Sequence, residues 1–289
     1  MPVEVFDEII EGPHGPLNLR VYQPSEPVTP IAGLVWCHGG AFAFGDLDMP
    51  EANWVARYLA EAGIPVVSVD YQLAGTAFAA HLGEEASEGV VYPVASEEVG
   101  AAFEWTMRQS LNVPAERWSL GGPSAGANLS AGATLRLRDR SRPLPRSLVL
   151  AYPLVHAELP PHRSELSQKL VALPDQARFH PEFLEAIHIN YVGEATELSS
   201  SYAFPGTHDL QGMPPTFILN SDADDLRSSG EQFASELASA GVDLLMIREN
   251  GTRHGHLNEP ENPSALLSLQ RVKAWLTSDL LVGVPHETS

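Results

Sequence analysis

The sequence predicts an α/β fold with a mostly parallel central sheet, and three observations carry that prediction. Apolar runs of strand length recur at residues 31–37, 64–70, 147–152 and 216–220. Stretches with helical spacing lie between them, so strand and helix alternate, the rhythm of crossover units that make neighbouring strands parallel. Ahead of these runs, residues 3–10 and 17–22 alternate apolar with polar around Gly12-Pro13-His14-Gly15. That is the pattern of an antiparallel hairpin covering one sheet edge.

In chain order, a Pro-rich link at 23–30 leads into 31–37, a continuous apolar run suited to a strand buried on both faces. His38-Gly39-Gly40-Ala41-Phe42 follows directly. Residues 51–62 read as a helix closed by Gly63, and 64–70 as a second buried strand. From Leu73 to Tyr92 no period emerges, which predicts a long surface loop. Helical spacing returns over 93–110, then a strand at 117–120, a Gly-rich turn, and a helix over 125–140. After the strand at 147–152 the rhythm stops. Residues 155–213 hold proline clusters, several histidines and two short helical patterns, at 175–178 and 181–191. An insertion of this length suits a cap over the C-terminal edge of the sheet, where open α/β folds bind ligands. The strand at 216–220, a helix at 229–240, a strand at 242–248, a loop through His254 and a helix over 263–280 complete the order, with a loose tail at 284–289. The expectation is one domain, 1–289, carrying the inserted segment 155–213.

Composition narrows the function classes. The chain has 289 residues and a formal net charge of -20, so nucleic acid and anionic membrane are disfavoured as partners by repulsion. The single cysteine, Cys37, sits in a buried strand and excludes both an internal disulfide and a cysteine-based zinc site. No secretory leader pattern or membrane-length apolar run is present, which sets a cytoplasmic expectation.

Gly122-Pro123-Ser124-Ala125-Gly126 lies between a predicted strand and a predicted helix. In a G-x-S-x-G turn the glycines let backbone segments approach closely, so the serine hydroxyl projects at the mouth of the sheet. A serine is a weak nucleophile until a base takes its proton, so such a turn needs a histidine and an acid on later loops. Asp222-Ala223-Asp224-Asp225 and His254-Gly255-His256 each follow a predicted strand, in the order serine, acid, histidine. A lone Asp-rich turn or a lone histidine in a Gly-rich loop is more often a cap or a bystander. Their joint occurrence in this order is what argues for chemistry. After the first buried strand, His38-Gly39-Gly40-Ala41 can turn backbone N–H groups towards a developing oxyanion. Gly40, Ala41 and Ala125 are the expected donors, Gly39 sets the turn, and His38 braces the loop.

Together, His38-Gly39-Gly40, Asp70-Tyr71-Gln72-Leu73-Ala74, residues 122–129, Asp224-Asp225-Leu226-Arg227 and His254-Gly255-His256 resemble the hormone-sensitive-lipase-like family of α/β-hydrolase fold esterases. The motifs run in family order from about residue 31 to 256. The resemblance implies an α/β-hydrolase fold and a serine carboxylesterase, with Ser124 as nucleophile, Asp224 as acid, His254 as base, and Gly39, Gly40, Ala41 and Ala125 forming the oxyanion hole. It also implies a short acyl group and no metal or organic cofactor. Phe42, Tyr71, Tyr191 and His256 are candidates for substrate binding, with core packing the competing explanation for the aromatics. The partner expected is a small-molecule ester, and a homodimer is compatible with the chain. Several departures stand out. Ala41 replaces the third glycine of the family's loop, Pro123 replaces an acid before the nucleophile, and His256 leaves open which histidine is the base. The family's N-terminal cap helices have no counterpart before the hairpin, so a cap has to come from 155–213, with the 73–92 loop as a candidate contributor. An amidase or peptidase on the same scaffold, and a non-catalytic small-molecule receptor of the same fold, are the alternatives.

Overall fold

Among the described residues, eight strands form a single sheet in the computed structural model, which describes residues 1–26, 30–76, 87–109 and 111–278. The hairpin is β1 (Val3–Gly12) and β2 (Gly15–Pro24), followed by β3 (Gly33–Cys37), β4 (Val66–Asp70), β5 (Trp118–Pro123), β6 (Leu148–Ala151), β7 (Thr216–Ala223) and β8 (Leu244–Arg253). The spatial order is β1-β2-β4-β3-β5-β6-β7-β8. Pairings β1·β2 and β2·β4 are antiparallel, and every pairing from β4·β3 to β7·β8 is parallel. β3 lies between β4 and β5, so the chain winds outward from it in both directions. That is the switch point at which open α/β sheets hold ligands beyond the strand ends.

The apolar runs form strands buried on both faces because successive side chains point to opposite sides of the pleat. Leu34 and Trp36 pack with Val55 and Leu59 of α1 (Pro50–Glu61) and with Leu269 and Val272 of α7 (Pro263–Leu276). Val35 and Cys37 face the other way. Their cluster includes Val99 and Phe103 of α2 (Val94–Met107), Leu129 of α3 (Ala125–Asp139) and Phe233 of α6 (Arg227–Ser239). The alternation in four residues of one strand thus accounts for helices on both faces.

Residues 155–213 carry α4 (Ser164–Val171), α5 (Pro181–Val192) and 3-10 turns at Asp175–Ala177 and Ala195–Ser199. Two sequence expectations change here. The helical pattern at 175–178 is a single 3-10 turn, and α4 stands where none was expected. Only Leu166 and Leu170 of α4 are buried, and one apolar pair four residues apart is too little period to read. Ion pairs tie this segment to the end of β7, the loop after it and the start of α6: Lys169 to Asp222 at 2.5 Å, Arg178 to Asp225 at 2.8 Å, and Arg227 to Glu165 at 2.6 Å. The expected 73–92 loop falls partly outside the described residues, as do the last residues of the 263–280 helix and the 284–289 tail.

The turn after β5 depends on two glycines. A Cβ on Gly126 would strike the Cys37 carbonyl oxygen and lie 2.5 Å from that of His38, and one on Gly122 would strike the Cys37 oxygen as well. Backbone cannot yield as a side-chain tip can. Gly126→Ala is therefore expected to cost about 2–3 kcal/mol, read as a fall of roughly 3–5 °C in Tm by thermal denaturation. A wild-type Tm would mean that β3 and α3 are not in this close contact.

Candidate active site

Ser124 sits between β5 and α3 with φ 51° and ψ -116°, a conformation costing on the order of 1–3 kcal/mol for a residue with a side chain. The turn is held by Ser124 N donating to Ala151 O at 2.8 Å, and by Ala127 N donating back to Ser124 O at 3.1 Å. This geometry turns the hydroxyl off the strand end, where it is 8% exposed.

The loops after β7 and β8 bring two further groups to the same place. His254 Nε2 is 3.1 Å from Ser124 Oγ, and His254 Nδ1 is 2.8 Å from Asp224 Oδ2. The three aspartates of the β7 loop separate by partner. Asp222 meets Lys169 and the Gly251 N–H, Asp225 meets Arg178, and Asp224 alone meets the imidazole. The other oxygen of Asp224 accepts from Leu226 N at 2.9 Å, which fixes the carboxylate. Burial pulls the His254 pKa down, but the charge and hydrogen bond of Asp224 outweigh it and leave the pKa above the ordinary 6.5. Such an arrangement can take a proton from Ser124 and hold the imidazolium that results.

Beyond β3, the chain turns through three consecutive positive φ values, Gly40 at 113°, Ala41 at 53° and Phe42 at 63°. Ala41 occupies a conformation that glycine holds without strain. The loop is pinned at several points. His38 Nδ1 donates to Gly39 O at 2.7 Å, the Tyr71 hydroxyl donates to His38 O at 2.9 Å, and Ala43 N and Phe44 N both donate to Gly40 O. The Gly39 N–H is occupied, donating to Glu51 Oε1 at 3.0 Å. Gly39 is therefore not an oxyanion donor. Among the described residues no acceptor takes the N–H groups of Gly40, Ala41 or Ala125.

The remaining sequence candidates fall elsewhere. Phe42 stacks on Tyr191 with centroids 3.9 Å apart, Tyr71 stacks on His38 at 4.3 Å, and all three aromatics are buried. His256 is corrected. Its Nδ1 meets Ser221 Oγ and its Nε2 meets Ser268 Oγ, each at 2.9 Å, so neither nitrogen faces a substrate. Burial pushes its pKa down to about 4. Two residues that sequence reasoning missed come to the site: Glu51, buried at the start of α1, and Tyr152, just past β6. Tyr152 donates to Glu51 Oε2 at 2.9 Å and sets its ring edge-to-face against His254 at 4.9 Å. Phe179, from the 155–213 segment, also packs edge-to-face with His254, at 4.7 Å.

A family model described as the alpha/beta hydrolase fold matches residues 34–258, the span from β3 to just past the His254 loop. The chain belongs to the hormone-sensitive-lipase-like family of α/β hydrolases. Among its curated relatives, it is 32% identical over 268 residues to carboxylic ester hydrolase LipN of Mycobacterium tuberculosis, covering 89% of this chain and 65% of that one. It is 30% identical over 266 residues to esterase LipI of the same organism, covering 88% and 75%. Among solved structures, an esterase of Pyrobaculum calidifontis superposes with a TM-score of 0.80 at 28% identity, covering 96% of this chain and 86% of that one. The thermophilic carboxylesterase EstE1, cloned from a metagenomic library, superposes with a TM-score of 0.81 at 26% identity, covering 96% and 89%. The sheet order with its N-terminal hairpin is thus the α/β-hydrolase fold of this family, and the named relatives are ester hydrolases. Among the described residues no helix is long and apolar enough to cross a membrane.

Proposed function

We propose that this chain is a serine carboxylic-ester hydrolase that cleaves a small, short-acyl ester through an acyl-enzyme on Ser124. The single observation that supports it most is the chain of contacts from Ser124 Oγ to His254 Nε2 at 3.1 Å and from His254 Nδ1 to Asp224 at 2.8 Å, beside the unpaired N–H groups of Gly40, Ala41 and Ala125. In the first half-reaction His254 takes the Ser124 proton as Oγ bonds the acyl carbon. The carbonyl oxygen becomes an oxyanion held by the three N–H groups. Collapse breaks the bond to the alkoxide, and His254 passes it the proton. Water then attacks the acyl-enzyme with His254 again taking a proton, and the acid leaves as Ser124 is regenerated. Asp224 holds the imidazole with Nδ1 protonated, so that Nε2 is the free base.

Residues 155–213 serve as the cap in this proposal, supported by the contact of Phe179 with His254 and by the ion pairs to the β7 loop. The net charge of -20 favours a neutral or cationic ester over a polyanionic one, and the proposed setting is cytoplasmic. The test is an acyl-length series of p-nitrophenyl esters beside matched anilides. Rates should peak between acetyl and about butyryl and fall at least roughly tenfold by octanoyl, the scale of discrimination a pocket makes by chain length. Anilides should lag well behind esters. An anilide rate at or above the ester rate would make the chain an amidase.

A further inference from the structure

Acids in the first turn of a helix ordinarily face water and the helix's own N–H groups. Glu51, in the first turn of α1, does neither. It is 3% exposed, and its two oxygens are taken by groups of the site: Oε1 by the Gly39 N–H at 3.0 Å and Oε2 by the Tyr152 hydroxyl at 2.9 Å. The backbone of Glu51 is held as well, since its N–H donates to Asn258 Oδ1 at 3.2 Å and its carbonyl accepts from Trp36 Nε1 at 2.8 Å. The carboxyl group therefore sits at a fixed point between the loop after β3 and the residue after β6.

Each contact reaches a different part of the reacting centre. At Gly39 the carboxyl group takes the N–H immediately before those of Gly40 and Ala41, and so sets the plane from which the next two project. The fit is close, because a Cβ on Gly39 would strike Glu51 Oε1 and approach the Pro123 carbonyl to 3.3 Å. This loop also holds Ala41 and Phe42 at positive φ, a conformation that persists only where the surroundings over-determine it. On the other side, the Tyr152 ring is packed edge-to-face against both His254, at 4.9 Å, and His256, at 5.2 Å. Fixing its hydroxyl fixes the surface on which the base rests.

The geometry points to Glu51 as a positioning residue of the hydrolysis, one carboxyl group that registers the oxyanion loop and, through Tyr152, the imidazole of His254 against Ser124. It does not touch substrate. This assignment rests on the serine-hydrolase reading above and deepens it. A purely structural acid would stabilise the fold without altering the reaction, whereas a registering one acts on the tetrahedral intermediate more than on bound substrate. Burial raises the Glu51 pKa above the ordinary carboxylate value, and in its ionised form the group places negative charge near the imidazolium. The other titratable groups facing His254 are Asp224 and Asp225 from the β7 loop and His256 from its own loop.

The experiment compares Glu51→Ala, Glu51→Gln and Tyr152→Phe with the wild type in kcat, KM, the pH profile and inhibition by an alkylboronic acid, which mimics the tetrahedral intermediate. Phosphonate labelling of Ser124 is followed in each protein. Glu51→Ala is expected to lower kcat about a hundredfold, the scale of a lost oxyanion donor. KM should stay within about threefold, and boronate affinity should fall with kcat. Glu51→Gln keeps the shape and one acceptor; it should hold kcat within about tenfold and move the acid limb to lower pH. Tyr152→Phe should lie between wild type and Glu51→Ala. Wild-type kcat and boronate affinity in a folded Glu51→Ala overturn the proposal. Should that variant not fold, the same result in both Glu51→Gln and Tyr152→Phe overturns it. A wild type that stays active and takes no phosphonate label would instead remove the serine-hydrolase reading itself.

Discussion

Ser124→Ala is expected to lose on the order of a thousandfold or more in kcat on p-nitrophenyl butyrate, with KM nearly unchanged and an intact Tm. The hydroxyl is small, sits at the mouth of the sheet and is within hydrogen-bond distance of His254 Nε2. Removing it leaves the loop after β3, the imidazole and Asp224 where they are, so substrate should still bind. What disappears is the atom that forms the acyl bond. Relief of backbone strain does not follow either, because alanine at φ 51° is held as serine is. A residual rate over water is expected from the N–H groups of Gly40, Ala41 and Ala125 alone.

Asp224→Asn should cost roughly a thousandfold to ten-thousandfold in kcat, although it changes little of the shape. The carboxylate accepts from His254 Nδ1 at 2.8 Å and from Leu226 N at 2.9 Å. An amide in its place can present its NH2 to the ring, which then takes the tautomer with Nε2 protonated. That tautomer cannot receive the Ser124 proton. The pH profile carries a second signature. In the wild type the His254 pKa lies above 6.5 because Asp224 outweighs burial, and protonated His254 is no base. Activity should therefore rise with pH through a midpoint above 6.5. Without the Asp224 charge, burial acts on the imidazole with less opposition, and the midpoint of the residual activity should move down. A variant with the same midpoint and only a small loss of kcat would mean that another group orients the base.

The sheet and the three groups at its edge were legible because their signals are local. Each strand is a short apolar run, and Ser124, Asp224 and His254 each stand just past one, so knowing the strands locates the loops. Glu51 and Tyr152 carried no such signal. Their hydroxyl-to-carboxylate contact joins positions 101 residues apart, and Glu51 reads as an ordinary acid at a helix start. His256 shows the opposite failure. Two histidines share one loop, and only the fold shows that one meets Ser124 while the other is closed between Ser221 and Ser268. Similarly, the resemblance grouped Gly39 with Gly40 and Ala41 in the oxyanion hole, and only the fold shows the Gly39 N–H facing Glu51. In the 155–213 segment α4 was hidden for want of periodicity, and its ion pairs to Asp222 and Arg227 could not be read from charge alone.

The most direct measurement is the intact and peptide mass of the protein after brief incubation with a stoichiometric fluorophosphonate, alongside Ser124→Ala. One adduct, on the peptide containing Ser124, with activity lost in proportion and no adduct on Ser124→Ala, is the predicted result. Full activity in an unlabelled wild-type protein, or an adduct that persists in Ser124→Ala, would contradict the assignment of Ser124 as the nucleophile.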